Sequence, residues 1–435
     1  MRISLGARHD FLRRNGVAEN WKAHTLGDLA RVVGGGTPSR DESRFWIGGR
    51  ILWATPTDLT ANQAKYISKT AECITDAGLA SSAALLLPPG TILFTSRATI
   101  GAKAIATVPI ATNQGFASFL PRTIDGEYLY YVLDLLTPII KRLGAGTTFD
   151  EVSKRDIRTV WCAVPSDPSE QAAIARILNA VDRALERTRE AVEQAREVKR
   201  ALVQRLLTEG VRGEPKKKTA IGFVPKSWQV VPVGSVVDNF QYGLSVPMQQ
   251  TGRLPVLRMG NIQSGEVVLD DLKYVSLPDK VVSPYLLQRG DVLFNRTNSQ
   301  EWVGKIGIYR HDTPAVFASY LIRLFPDGAK LDNYYLGHVL GSYSAQCRIK
   351  RYATPGVQQV NINATNLGKV LIPLPVGDDG IKEQRDISAL LEAADAVVRR
   401  YEPVLTAQQS LKASLMHDLL TGRVRVTSDI EAVAS

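Results

Sequence analysis

Two loops carry the side chains best suited to reading another molecule. Thr95-Ser96-Arg97 follows the β-rich run Pro-Pro-Gly-Thr-Ile-Leu-Phe, and Asn295-Arg296-Thr297-Asn298-Ser299-Gln300 follows the matching run Gln-Arg-Gly-Asp-Val-Leu-Phe. Asn113 and Gln114 within Thr-Asn-Gln-Gly-Phe, and Gln358, Gln359 and Asn361 in the second half, add amides. Arginine can donate two parallel hydrogen bonds to guanine, and asparagine or glutamine can pair with adenine in the same two-point way. Lys103 and Lys305, just beyond the two arginine loops, add positive charge and complete the candidate nucleic-acid contacts. Turn capping by Asn, Ser and Thr explains any one loop equally well. The argument for reading is that both halves offer an arginine loop at the same place.

Catalytic chemistry finds no foothold in the spacing. An adenine-methylating enzyme needs a cofactor loop and an Asn/Asp-Pro-Pro-aromatic tetrapeptide, and neither occurs. Gly304-Lys305 and Gly368-Lys369 lack the glycine spacing and the following Ser or Thr of a phosphate-binding loop, and Gly144-Ala145-Gly146 stops before a third glycine. His9, His24, His311, His338 and His417 are scattered without an HExxH pattern, so no catalytic residue and no metal site is expected. Cys73, Cys162 and Cys347 are distant and odd in number, which fits a reducing cytoplasm and no disulfide framework.

The elements that must position these loops announce themselves by repetition. Residues 170 to 209 carry a seam at alternating spacings of four and three: Ile174, Leu178, Val181, Leu185, Thr188, Val192, Ala195, Lys199, Leu202, Leu206. That is the pattern of a coiled coil, broken at Thr188 and Lys199. The seam recurs 213 residues later as Ile387, Leu391, Ala394, Val398, Tyr401, Leu405, Gln408, Lys412, Leu415 and Leu419. Glu170-Gln171, Asp182, Arg187 and Leu206-Leu207-Thr208 recur as well, as Glu383-Gln384, Asp395, Arg400 and Leu419-Leu420-Thr421, which marks a duplication. Asp167 is the expected N-cap, Pro168 the first helical residue and Glu170 the capping-box partner. Forty residues at about 1.5 Å each make a rod of roughly 60 Å. A single such helix would pack on its own domain; two in register, in the order globule, helix, globule, helix, are expected to pair antiparallel. Pro403 removes one intrahelical bond and is expected to kink the second rod, as Pro138 is expected to bend or end the helix at 127 to 143.

The globules repeat too. Residues 288 to 294 answer to 88 to 94, Ile306-Gly307 is aligned with Ile100-Gly101, and 333 to 350 replaces the Tyr-rich helix at 127 to 143. The expected organisation is a leader at 1 to 20, an α+β domain at 21 to 165, a long helix at 167 to 209 and a Gly/Pro/Lys linker at 210 to 227. A second α+β domain at 228 to 376, a long helix at 380 to 422 and a mobile tail at 423 to 435 follow. A net charge of +10 over 435 residues supports a polyanionic partner. No apolar run is long enough to span a bilayer and the N-terminus lacks a signal-peptide core, so a soluble protein is expected.

These features together resemble the specificity subunits of type I restriction-modification systems. The pieces that carry the resemblance are Trp21 with Leu26-Gly27-Asp28-Leu29, Gly34-Gly35-Gly36-Thr37-Pro38-Ser39, the stretch Arg97 to Gly101, and Thr112 to Phe116. Val164-Pro165 ahead of Glu170-Gln171, Pro373 and Pro375 ahead of Glu383-Gln384, and Ile221 to Pro225 before Trp228 complete them. The second half departs from the pattern: Phe317-Ala318-Ser319-Tyr320 stands where Thr112 to Phe116 would recur. The resemblance implies two target-recognition domains joined by two long antiparallel helices, each domain reading half of an interrupted sequence in double-stranded DNA. It implies that the helices set the unread gap and dock two modification subunits, to which restriction subunits add. It places S-adenosylmethionine, ATP and Mg in those partners, with no cofactor in this chain. A methyltransferase or nuclease with a concealed site, and a scaffold that binds only protein, are the alternatives.

Overall fold

The computed structural model describes residues 20–61, 64–144, 151–263, 265–356 and 359–426. The chain divides into two compact units. One comprises the residues up to Arg189 with those from Val404 on; the other is Glu190–Pro403. The division falls inside both long helices, because each helix end packs into the core of a domain.

In the first unit a five-stranded sheet has the spatial order Ala30–Val33, Ser118–Pro121, Ile92–Phe94, Lys103–Ala106, Tyr66–Ile67. Its central strand is Ile92-Leu93-Phe94, all fully buried, the uninterrupted apolar run expected of a strand covered on both faces. Gly90, at φ +83°, turns the chain into that strand. A smaller sheet orders Glu72–Ile74, Ile51–Ala54, Ile110–Thr112. The domain's first and last strands, Trp21–Thr25 and Trp161–Pro165, pair antiparallel and so deliver the chain to the long helix.

The second unit repeats this plan strand for strand. Val237–Tyr242, Leu321–Pro326, Val292–Asn295, Ile306–Ile308 and Glu266–Val267 stand in the same order, with Ile262–Gln263 added at the edge. Gly290 turns at φ +94° as Gly90 does. The closing pair is Gln229–Pro232 with Leu371–Leu374. Helix Gly126–Gly144 does not end at Pro138 but runs through it, and the Thr137 hydroxyl donates to the Leu133 carbonyl at 2.6 Å beside it. Its counterpart is two helices, Asn333–Gly341 and Tyr343–Lys350, broken at Ser342, whose side chain caps the second.

Parts of the expected linker and tail make defined contacts. Within the linker, Lys216–Thr219 and Gly222–Pro225 form a hairpin whose turn uses Gly222 at φ +111°. In the tail, Arg425 makes a two-point ion pair with Glu170 at 2.6 and 2.7 Å. The leader up to residue 19 and the tail from 427 lie outside the described residues.

The long helices are Pro168–Glu209 and Gly380–Leu420, the second continuous through Pro403. Most of their seam is inward: Ile174, Leu178, Leu185, Leu206, Ile387, Leu391 and Leu419 are buried, and Val181, Leu202, Val398, Leu405 and Leu415 are half-buried, while Tyr401 is exposed. The helices run antiparallel in each unit, where the polar seam positions find one another's acids. Lys412 pairs with Asp182 at 2.6 Å in the first unit, and Lys199 with Asp395 in the second, the same pair 213 residues on. Glu170 is not the capping-box partner; it holds Arg425, as Glu383 holds Arg212 at 3.4 Å in the repeat. Asp167 does cap, accepting from the Ser169 N–H at 2.9 Å. The Gln of each Glu-Gln pair ties helix to domain. Gln171 accepts from the Asp125 N–H and donates to the Pro165 carbonyl, both at 2.9 Å, and Gln384 repeats this with Asp332 at 2.8 Å and Pro375 at 3.1 Å.

Ile387 is fully exposed to neither solvent nor void, sitting with Leu206, Leu391 and Trp228 in one apolar cluster. Ile387→Ala is expected to cost about 2–5 kcal/mol in urea unfolding. A loss under about 1 kcal/mol would show that the helix end adds nothing to the domain core.

Candidate nucleic-acid interface

The first unit assembles its polar loops on one framework. The Gly-rich loop docks on the second loop through the Gly36 N–H and the Thr112 carbonyl at 2.9 Å, and the Trp53 indole donates to the Gly36 carbonyl at 2.9 Å. Gly35 must be glycine, since a Cβ there would strike the Thr112 and Asn113 carbonyls. The Thr37 hydroxyl donates to the side-chain oxygen of Gln114, which is exposed, while Asn113 accepts from the Gly115 N–H at 2.9 Å and holds the turn. The arginine loop joins them where the Ser96 N–H donates to the Gly115 carbonyl at 2.8 Å.

Of Thr95, Ser96 and Arg97 only the arginine side chain is outward, with Ala98 and Thr99 exposed beside it. Thr95 is fully buried and its hydroxyl donates to the Ala102 carbonyl at 3.1 Å, and buried Ser96 receives the Val152 N–H on its carbonyl at 2.9 Å. Arg97 is 44% exposed and lies 3.7 Å from the Glu151 carboxylate. Ala98 at φ +62° and Gly101 at φ +101° make the tight turn that presents it. Lys103 is corrected from contact to core: its ammonium pairs with Asp134 and lies 3.8 Å from the Tyr130 ring centroid, facing away from the surface. Lys154, which the sequence did not single out, lies against Gly34 and is exposed.

The second unit uses the same framework, and its hydrogen bonds set the register. The Leu244 N–H donates to the Phe317 carbonyl at 2.8 Å as Gly36 does to Thr112, so Phe317 to Tyr320 stand in the place of Thr112 to Gly115. The Arg296 N–H donates to the Tyr320 carbonyl at 3.0 Å as Ser96 does to Gly115, and the Gly304 N–H to Asn295 as Gly101 does to Thr95. Arg296 therefore corresponds to Ser96, and Thr297 to Arg97; Val303-Gly304, not Ile306-Gly307, answers to Ile100-Gly101. Three residues inserted in this turn hid the offset. Arg296 is half-buried, donating to the Ser319 carbonyl at 3.3 Å with its guanidinium 5.0 Å from the Tyr242 ring centroid. Asn295 is fully buried, like Thr95.

Beyond Arg296 the loop forms a small sheet with the distant amide segment: Thr297 pairs with Asn361 and Asn298 with Val360. Asn361 donates to the Thr297 hydroxyl at 3.0 Å, and Asn298 accepts from the Ser299 N–H at 2.8 Å. Gln300 and Gln359 are exposed, and Gln358 lies outside the described residues. Lys305 sits 2.9 Å from the Trp302 ring centroid, and burial lowers its pKa. Each unit thus gathers donors and acceptors from three or four chain segments at one rim.

Acid–base chemistry is otherwise engaged in structure. His311 contacts the Val267 carbonyl at 2.7 Å and His417 lies 2.9 Å from Arg423. His338, Glu392 and Asp395 bring their ligand-type atoms within 4.8 Å of one another, but Arg310 holds Glu392 and Lys199 holds Asp395. Among the described residues no helix is long and apolar enough to cross a membrane.

Residues 18–194 match the family model of the type I restriction modification DNA specificity domain. The type I restriction enzyme MjaIX specificity subunit of Methanocaldococcus jannaschii is 30% identical over 263 residues, 57% of this chain and 60% of that one. The MjaVIII specificity subunit of the same organism is 26% identical over 316 residues, 70% of this chain and 72% of that one. The chain thus spans under two thirds of the first relative's length. The crystal structure of the type I restriction-modification system S subunit from M. genitalium shares the fold, with a TM-score of 0.60 at 16% identity over 92% of this chain and 96% of that one.

Proposed function

We propose that the chain is the DNA-reading subunit of a type I restriction-modification complex and carries no catalytic site of its own, a reading supported by its similarity to the specificity subunits of such systems. Each recognition domain reads one half of an interrupted sequence in double-stranded DNA, and the long helices set the unread gap. The observation that carries this reading is the repeated framework with differing polar rims: the same backbone bonds hold Ser96 and Arg296, yet the side chains presented beyond them differ. The net charge of +10 supports a polyanionic partner.

The helices also dock two modification subunits. Apolar residues on the second helix outside the pairing seam support this: Leu390, Val397 and Leu411 are 46%, 47% and 52% exposed. S-adenosylmethionine, ATP and Mg belong to modification and restriction subunits, and the complex works in the cytoplasm. The test is reconstitution. The purified chain with S-adenosylmethionine, or with Mg and ATP, leaves plasmid DNA unaltered, while its complex with modification subunits binds DNA selectively by sequence and more weakly as salt rises. Modification or cleavage by the chain alone would contradict the reading.

Arg97→Ala is expected to weaken specific binding by about 1–3 kcal/mol, as for a two-point contact to a base. An unchanged motif with only a shallower salt dependence would make Arg97 a phosphate contact instead.

A further inference from the structure

Both units seat the recognition domain on the long helices at the same place, with different chemistry. In the first unit the Tyr131 hydroxyl lies 2.7 Å from both Asn179 and Asp182 of the first long helix. The Lys65 ammonium fills the space beside them, between Asn179 and Glu127. Lys412 of the second helix completes the seat on Asp182.

The register of caps and strands identifies the counterparts. Asp125 and Asp332 cap the equivalent helices by accepting from Tyr128 and Tyr335, which places His338 at the position of Tyr131. The 213-residue repeat places Glu392 for Asn179, Asp395 for Asp182 and Lys199 for Lys412. Tyr66 and Glu266 pair with the equivalent strands at Ile105 and Ile308, so Gly265 stands for Lys65. Where Lys65 fills the first seat, the second has no side chain, and a cavity of about 290 Å³ is lined by Gly265, His338 and Asp395.

Ions do the joining instead. Arg310 of the domain donates from Nε to Glu392 at 2.8 Å and makes a second bond to the same carboxylate, while its other branch reaches Glu266 at 2.7 Å. His338 contacts Glu392 at 2.9 Å, and Arg399 of the helix holds Glu266 at 2.6 Å. Burial alone would raise the Glu392 pKa, yet hydrogen bonds from Arg310 and His338 hold that carboxyl far below the usual range. Buried ion pairs add little net stability compared with apolar packing, but they fix geometry, and losing one partner strands the others. The first unit makes the corresponding contact at Asn179 with Tyr131 and Lys65, so the place is retained while the helix carboxylate of Glu392 and its arginine partner are not.

We propose that Glu392 is a positioning residue: through Arg310 and His338 it fixes the angle at which the second recognition domain is held on its helix, and thereby the single gap length the protein accepts. This rests on the DNA-reading function proposed above. The test uses the full chain assembled with modification subunits and maps methylated sites by gap length. E392Q is expected to add methylation at gaps about one base pair shorter and longer than the original, with the bases of both halves unchanged. R399Q, at a side chain 36% exposed, disturbs the same cluster more gently and is expected to broaden the gap distribution in the same way to a smaller extent; it decides the matter if E392Q does not assemble. Assembled variants that methylate less but only at the original gap would overturn the proposal, leaving Glu392 a stabilising residue. Failure of the unaltered complex to methylate any interrupted motif would instead overturn the DNA-reading function.

Discussion

Exchanging residues 30 to 155 for the same segment of a relative should change one half of the methylated motif and leave the other half, and the gap, as they were. The physical reason is local closure. The first domain has its own apolar core, in which Leu29, Val32, Phe94, Phe119 and Leu133 pack with Ile174 and Leu178 of the helix. Its rim is held by bonds made within the segment, from Gly36 to Thr112 and from Ser96 to Gly115. The exchange leaves outside the segment the strand pair Trp21–Thr25 with Trp161–Pro165 and both long helices; Lys65, Asp125 and Tyr131, which meet the first long helix, lie inside it, so the relative to use is one that keeps those residues. Methylated-site sequencing of cells carrying the hybrid with its modification subunit measures the result. A change in both halves would show that the two domains do not read independently.

Lengthening both rods by one heptad should widen the unread gap by roughly one to three base pairs with both half-sites unaltered, since seven residues add about 10 Å and a base pair rises about 3.4 Å. The structure dictates where to insert. Asp182–Lys412 and Lys199–Asp395 lock the helix pair near each domain, so the added residues belong between them, after Arg189 and after Pro403. A heptad in each helix there keeps the seam in register and leaves every end contact intact. DNA rotates as it advances, and part of the added length is absorbed by tilt or by bending the duplex, at a cost of order a few kcal/mol. An assembled complex that still methylates the original spacing would show that the rods dock partners without measuring distance.

The frame of this fold was legible because duplication prints the same constraint twice. The recurring seam, Glu-Gln pairs and aspartates proved to be helix pairing, helix-to-domain ties and interhelical ion pairs, each repeated in the second unit. The rims were less legible, since a loop's direction depends on partners far along the chain. Lys103 looked like a contact until Asp134, 31 residues on, drew it inward. Arg296 looked equivalent to Arg97 because both follow a similar strand, but backbone bonds to Gly115 and Tyr320 place it one position earlier. The lysine-rich segment at 210 to 227 read only as a linker, although its residues form a hairpin whose turn uses Gly222. The seat around Glu392 gave no signal at all: its ion pairs join Arg310 to Glu266 across 44 residues of sequence and to Glu392 across 82.

The most direct measurement of the account is the map of methylated sites in DNA from cells that carry this chain with its modification subunit, compared with cells that carry the modification subunit alone. The account predicts one motif that depends on this chain, made of two short defined halves separated by a fixed number of unread bases. A single uninterrupted motif, or the same methylation without this chain, would contradict it.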